Sequence, residues 1–274
     1  VLVQGNFPIE SRENDAVGEQ PTDQTRDWSQ VGGPLFAGPV VIDEDRDLMT
    51  GAETLEIVRA SGDGHGISEA VATGGKASYT FDVDGTPLRF IVVDTAAQTG
   101  AATGLVRQVE VDAFLRPALD DAEAAGKWVI LASHHSSGSL GDGGGLGGMA
   151  QPDPLLLQDW QALLGEYDNV IAHLCGHSHV HRVLPIDPPG GHPYWEVITS
   201  AIADHPHQMR VIEIRDEDNG YLTVTATAFD FSTEGDPLAA EGREHGITDL
   251  TSGWSLTGEG AIEDRNVRLW IPVE

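Results

Sequence analysis

The sequence predicts an α/β fold in which mixed β-sheets pack between helices. Three apolar runs, "LRFIVVDT", "KWVILASHH" and "NVIAHLCGHSH", are typical of buried strands, and segments with helical spacing separate them. Shorter alternating runs follow, in "HRVLPI", "YWEVITS", "MRVIEIR" and "YLTVTATAFDF". The order strand–helix–strand–helix–strand predicts an α/β core, and the spacing of the later runs favours antiparallel pairing.

The individual elements follow in order. Residues 8–75 are rich in Gly, Pro, Asp and Glu, which predicts long surface excursions with one or two short elements. Residues 77–95 combine an alternating run, the turn "DGTP" and an apolar run, which predicts a hairpin. Apolar spacing predicts helices over 105–126, where Pro117 is expected to kink or split the helix, and over 154–167, beginning at Pro154.

Length and composition limit the class of protein. We expect one domain over 1–274, with a loop-rich excursion at 1–76 and a C-terminal extension at 231–274 that packs on the core. The net charge of −29 argues against nucleic-acid binding and favours an extracellular or periplasmic location. No apolar stretch is long enough for a membrane span, and the single cysteine excludes an internal disulfide. The oligomeric state is left open.

Histidine clustering is the main functional signal. Six of the eleven histidines lie in two short stretches, "ILASHHSSG" and "AHLCGHSHVHR". Each stretch closes a predicted strand, and the carboxyl ends of neighbouring parallel strands meet at one edge of a sheet. Neutral imidazole is a common ligand for zinc, iron and manganese. We therefore expect the rings of His134, His177 and His179 to lie together and to bind metal.

The remaining polar residues near these strands have alternative interpretations. His173 lies inside its strand and is expected to be structural. His181 continues the alternation past His179 and is expected to line the crevice. Asp94, which ends another predicted strand, is either a ligand or a cap on a neighbouring loop. The sequence contains no nucleophile elbow and no P-loop, which argues against a serine hydrolase and a P-loop NTPase.

The two histidine stretches together resemble the last two motifs of the calcineurin-like metallophosphoesterases. The resemblance extends through "FIVVDT", "YWEVITSAIADHPHQMRVIEI" and the closing "DRNVRLWIP", and so covers most of the chain. It implies a four-layer sandwich and a metal-dependent phosphatase or phosphodiesterase, a hydrolase that acts on a small-molecule phosphate ester. It also implies two divalent metal ions, of iron, manganese or zinc, with His134, His177 and His179 as ligands. His135 would then lie beside the site, as a candidate catalytic residue.

The early metal motifs of that family are not present in full. Asp63-Gly64-His65 spells one of them, but it follows no convincing strand, and the opening "VLVQGNF" contains only Gly5-Asn6. We therefore expect the chain to be an N-terminally incomplete metallophosphoesterase, about two-thirds of the domain, and to be inactive alone. Two alternatives stay open. One is a mononuclear metal hydrolase that uses the three histidines and Asp94, and the other is a degenerate domain without catalysis.

Overall fold

The computed structural model describes residues 49–62, 66–97, 102–144, 149–253 and 257–273. The described strands are β1 Tyr79–Asp82, β2 Leu88–Val93, β3 Trp128–Ser133, β4 Val170–Cys175, β5 Arg182–Ile186, β6 Tyr194–Ile198, β7 Gln208–Asp216, β8 Tyr221–Asp230 and β9 Asn266–Pro272. The described α-helices are α1 Gly51–Ala60, α2 Glu69–Gly74, α3 Gln108–Glu110, α4 Arg116–Ala124, α5 Leu157–Gly165, α6 Pro237–Ser252 and α7 Ile262–Arg265.

The strands form two sheets. The first has six strands in the order β1-β2-β3-β4-β6-β5, and the second has three in the order β7-β8-β9. In the first sheet β2, β3, β4 and β6 run parallel to one another, while β1 and β5 pair antiparallel with β2 and β6 at the two edges. The second sheet is antiparallel throughout. The predicted mixed α/β class is therefore confirmed.

Two apolar cores hold these layers together. One core joins the first sheet to α4 and α5 through side chains such as Leu119, Leu131 and Trp160, all fully buried. The other lies between the two sheets, where Ile130 and Ile171 pack in one cluster with second-sheet side chains such as Leu222, Val224 and Leu269. The first sheet is thus covered on both faces, which explains why its parallel strands are apolar in sequence.

The outer face of the second sheet carries large apolar side chains that are more than one-third exposed, namely Val211, Tyr221, Phe229 and Trp270. Within the described residues, helices cover one face of the six-stranded sheet and the three-stranded sheet covers the other.

Pro117 splits the predicted helix over 105–126. The chain forms the short helix α3, then a π-helical turn over Val111–Leu115, and then α4, in which Pro117 lies in the first turn. Proline has no backbone N–H to donate to the preceding turn, and a helix N-terminus is where this loss costs least. The split leaves Leu115 and Leu119 on the buried face.

Several predicted boundaries and pairings need correction. The hairpin is observed as β1 and β2, but the second predicted helix begins at Leu157, because Pro154 bridges to Arg107 as part of an extended segment. The late strands do not form one meander, since β6 pairs parallel with β4 and β7 starts a separate sheet. The described part of the excursion at 1–76 contains α1 and α2, and residues 1–48 lie outside the described residues.

No helix within the described ranges combines the length and apolar character needed to cross a membrane.

Candidate metal site

The parallel strands β3 and β4 deliver the two histidine stretches to the same edge of the first sheet. The strands end at Ser133 and Cys175, so His134 and His177 lie on the loops that follow. The amide of Gly176 donates to the carbonyl oxygen of His134 over 2.9 Å, which ties the two loops together. The topology thus joins parts of the sequence that lie more than 40 residues apart.

The loop after β4 has a backbone that non-glycine residues rarely adopt. His177 and His179 have φ angles of 66° and 55°, in the left-handed region. The amide of Ser178 donates to the carbonyl of Gly176 over 2.8 Å within this turn. Each left-handed non-glycine residue costs on the order of 1 kcal/mol or more, and such residues concentrate at functional sites. The turn therefore directs two imidazoles outward at an energetic cost.

The rings of His134 and His177 lie close together and have uncommitted nitrogens. Their ring centroids are 5.3 Å apart, and neither ring nitrogen of either residue takes part in a hydrogen bond among the described residues. Burial, followed by the charge of a neighbouring histidine, lowers the pKa of both rings. Both are therefore neutral at pH 7 and offer lone pairs, as a metal ion requires.

His179 is the third imidazole of the predicted set, and a carboxylate orients it. Its Nδ1 lies 2.9 Å from Oδ2 of Asp204, which leaves Nε2 for a ligand. A carboxylate behind a metal-binding histidine fixes the tautomer and raises the basicity of the coordinating nitrogen. His179 also lies near enough to lower the pKa of His134 and His177 electrostatically.

We expect Asp204→Asn to weaken zinc binding by about tenfold, because a carboxylate that hydrogen-bonds a metal-binding histidine typically contributes roughly 10–100-fold to metal affinity. Isothermal titration with Zn²⁺ would measure the change. Asp249→Asn is the matched control, since Asp249 lies 3.6 Å from a different histidine, His207. Equal losses in the two variants would contradict a specific role for Asp204.

His135 lies among these rings but has no free nitrogen. Its ring centroid is 4.3 Å from that of His177, and ligand atoms of His134, His135 and His177 lie within 4.8 Å of one another. However, its Nε2 contacts the carbonyl of Ala102 at 3.2 Å, and its Nδ1 contacts the hydroxyl of Thr95 at 2.8 Å. A carbonyl only accepts, so Nε2 carries the hydrogen and Nδ1 accepts from Thr95.

Burial, followed by the charge of His177, lowers the pKa of His135 to about 4, which agrees with this neutral tautomer. The ring is held by the protein on both sides. We therefore assign His135 to the wall of the site, and metal binding there would require breaking one of its hydrogen bonds.

A buried polar chain supports the loop after β3. Glu196 lies opposite His173 on the neighbouring strand, and its Oε2 is 3.0 Å from His173 Nδ1. His173 Nε2 is 2.8 Å from the hydroxyl of Ser133, which donates to the carbonyl of His135 over 2.7 Å. Glu196 also accepts from the amide of Ser137 over 2.8 Å. His173 and Glu196 together therefore stabilise the segment that carries His134 and His135, at the carbonyl of His135 and at the amide of Ser137.

Glu196 is charged although it is almost fully buried. Burial alone would raise its pKa, but His173 and the amide of Ser137 outweigh it and leave the pKa below the ordinary value. Ligand atoms of His173, Cys175 and Glu196 also lie close enough to hold an ion. Because both His173 nitrogens are already hydrogen-bonded, we assign this buried group to structural support, as expected for His173.

The structure answers the questions left open for Asp94 and His181. Asp94 accepts from the amides of Ala77 and Ala96, each over 2.9 Å, so its two oxygens cap the backbone. His181 was expected to line the crevice, but this is wrong, because the ring is fully buried. The amide of Ser200 donates to His181 Nδ1, which leaves Nε2–H for the hydroxyl of Ser200 at 3.0 Å and the side-chain oxygen of Gln208 at 3.3 Å.

His181 should make stability depend on pH. Burial, followed by the charge of Arg210, lowers its pKa to about 4, whereas an exposed histidine titrates near 6.5. The unfolded chain therefore binds more protons, so this contribution is complete above pH 6.5 and is lost as the pH falls towards 4. We expect the free energy of unfolding to fall by ~2 kcal/mol over this pH range because of His181.

Urea denaturation at pH 7.5 and pH 4.5 would measure that loss. His181→Gln should reduce the fall in unfolding free energy between these two pH values. His245→Gln, on the exposed surface of α6, should leave it unchanged. If the unfolding free energy of His181→Gln fell between the two pH values by as much as that of the original chain, the proposed role of His181 would be wrong.

A cavity of about 390 Å³ opens beside His134, His177 and His179. Its other walls come from the loop after β6 and the start of β7. A larger cavity of about 750 Å³ lies beside α3, but aspartates are the only titratable side chains that line it. The smaller cavity is therefore the candidate site, since it alone of these two contains the imidazoles.

Comparison with known proteins adds little to this geometry. No protein-family model and no curated protein matches the chain. Among solved structures, the chain is similar to the sulfate thiohydrolase SoxB of Thermus thermophilus, determined in complex with glycerol, at 17% identity with a TM-score of 0.27 over 65% of this chain. The chain spans 29% of the length of that protein.

Sequence reasoning missed two carboxylates of the site, Glu196 and Asp204. Glu196 is a single charged residue within the apolar run "YWEVITS", and a buried partner would explain such a residue. Asp204 lies in an irregular segment, "AIADHPH", where no periodicity marks it.

Proposed function

We propose that this protein is a metal-dependent hydrolase of the metallophosphoesterase type, which acts on phosphate esters. The observation that supports this proposal is the set of three imidazoles at the carboxyl edge of the parallel strands. Within the described part of the chain, the ring nitrogens of His134 and His177 make no hydrogen bonds, and Asp204 orients His179. Three imidazoles are a ligand set that divalent zinc, iron or manganese accepts.

The donor set fits one divalent ion. Such an ion, when bound, supplies Lewis acidity towards a phosphoryl oxygen and lowers the pKa of water. Within the described residues, Asp204 contacts His179 through Oδ2 and leaves its buried Oδ1 without a hydrogen-bond partner, whereas both oxygens of Asp94 accept from backbone amides. A bridged pair of hard divalent ions needs several carboxylate oxygens, and these two side chains offer one at most. The described residues therefore support one ion better than two.

The chain's own residues hold the site in place. The hydrogen bond between Gly176 and His134 keeps the two loops together, and the pair of Glu196 and His173 fixes the segment after β3. His135 closes one side of the site as a neutral ring. These contacts preorganise the imidazoles, so little reorganisation is needed when an ion binds.

A mononuclear metal hydrolase is a second candidate, and the single-ion fit favours it. Three histidines with an open fourth position form a known type of catalytic zinc site. Asp94 would take no part, because its oxygens cap the backbone.

Metal stoichiometry and turnover test both proposals. We expect titration of the chain with Zn²⁺ or Mn²⁺ to give about one ion per chain, and slow, metal-dependent hydrolysis of nitrophenyl phosphate. A variant with His134, His177 and His179 all changed to Ala should lose both. Metal binding by that variant at the affinity of the original chain would overturn the proposal. Two ions per chain would contradict the single-ion fit and favour a dinuclear centre.

A further inference from the structure

The cavity beside the imidazoles has an apolar wall on the opposite side. Ala201, Ile202 and Ala203 lie on the loop after β6, and Met209 lies at the start of β7. Ile202 is 69% exposed and Met209 39% exposed. Single exposed apolar residues are common on protein surfaces, but these face a concave space that the imidazoles also line. The cavity therefore has one side for metal or charge and one side for apolar groups.

The topology accounts for this arrangement. Strand β6 runs parallel to β4, so both strands end at the same edge of the first sheet, and the amide of Thr199 donates to the carbonyl of Cys175 over 2.8 Å. The loop after β6 is thus the next one along the edge after the loop that carries His177. An apolar loop in this position contacts whatever extends from the metal site.

Charge further restricts the occupant. Among the described residues that line the cavity, Arg210 alone carries a fixed charge, and it is a cation. Its Nη2 donates to the carbonyl of Asp264 and its Nε and Nη1 are buried, so it acts on an occupant through its charge and not through direct contact. The chain as a whole carries a net charge of −29, which repels polyanions at long range. One oxyanion is therefore compatible with the site, whereas a substrate with many negative charges is disfavoured.

We propose that the substrate is a phosphate ester with a single phosphoryl group and an apolar, ring-sized organic group. The phosphoryl oxygens would lie towards the imidazoles, and the organic group would lie against Ile202 and Met209. A volume of about 390 Å³ is sufficient for such a molecule, since small-molecule sites occupy roughly 300–1,000 Å³. This inference rests on the proposed function and adds the class of substrate.

Two non-hydrolysable probes separate the apolar contribution from the metal contribution. Phenylphosphonate and methylphosphonate carry the same anion and differ in the organic group. We expect the zinc-loaded chain to bind phenylphosphonate about tenfold more tightly in isothermal titration, because burial of apolar surface is favourable. Ile202→Asn and Met209→Gln should each reduce that ratio to about threefold and leave methylphosphonate binding unchanged.

The control variant is Val211→Asn, an exposed position on β7 outside the cavity wall, which should keep the tenfold ratio. All three positions are exposed, so the variants should fold, and thermal melting would verify this. Equal affinity for the two phosphonates would overturn the inference and leave the proposed function intact. Failure to bind zinc would overturn the proposed function and this inference with it.

Discussion

Replacing His177 by alanine should weaken zinc binding by about 100-fold or more. His177 supplies one of the three proposed imidazole ligands. Its ring nitrogens make no hydrogen bond among the described residues. Two remaining ligands hold an ion much less firmly than three, and a 100-fold loss corresponds to about 2.7 kcal/mol. Isothermal titration with Zn²⁺ would measure the dissociation constants of both chains.

The matched control is His245→Ala. That residue lies on α6 with an exposed side chain, away from the cavity. It should bind zinc as the original chain does, so the comparison separates loss of a site histidine from loss of any histidine. A dissociation constant that His177→Ala leaves within twofold would show that the ring is not a ligand.

The second large effect is expected on stability. Replacing Glu196 by alanine should lower the free energy of unfolding by about 3–5 kcal/mol, because it leaves the buried ring of His173 without its partner. The amide of Ser137 also loses its acceptor. Glu196→Gln keeps an acceptor in place, so it should cost less, about 1–3 kcal/mol. Urea denaturation would measure both.

Glu213→Ala provides the comparison, because Glu213 is also on a strand but its partner Arg215 is exposed. That change should stay within about 0.5 kcal/mol of the original chain. A double-mutant cycle with His173→Ala would isolate the coupling within the buried pair. If Glu196→Ala proved as mild as Glu213→Ala, the supporting role of the pair would be wrong.

Sequence reasoning reached the strands and the imidazoles because both follow local rules. Apolar runs mark β3 and β4, and a residue that ends such a run lies at a sheet edge, as His134 and His177 do. The same reasoning could not place β6 between β4 and β5, because alternation does not specify which strands become neighbours. The role of Glu196 was therefore not predictable from the sequence, since it depends on the pairing of β6 with β4.

The error over His181 has a similar cause. Alternation predicted that its ring would point into the crevice with that of His179. The left-handed backbone at His177 and His179 interrupts the strand geometry on which alternation depends, and the ring of His181 turns into the protein. Single-sequence patterns do not reveal such backbone angles at histidine, whereas glycine would have signalled them.

The imidazoles come from two loops that are distant in the sequence, so metal binding is coupled to folding. His177 and His179 are close in the sequence, so an unfolded chain still presents them as a pair, whereas His134 joins them only when β3 and β4 lie side by side. Zinc should consequently bind the folded chain more tightly and raise its melting temperature in a concentration-dependent way. At 100 times the dissociation constant the gain is at most about 2.7 kcal/mol, reduced by whatever the unfolded pair binds. Trace zinc or a chelator in the buffer would thus change the measured stability of this protein without any change in its sequence.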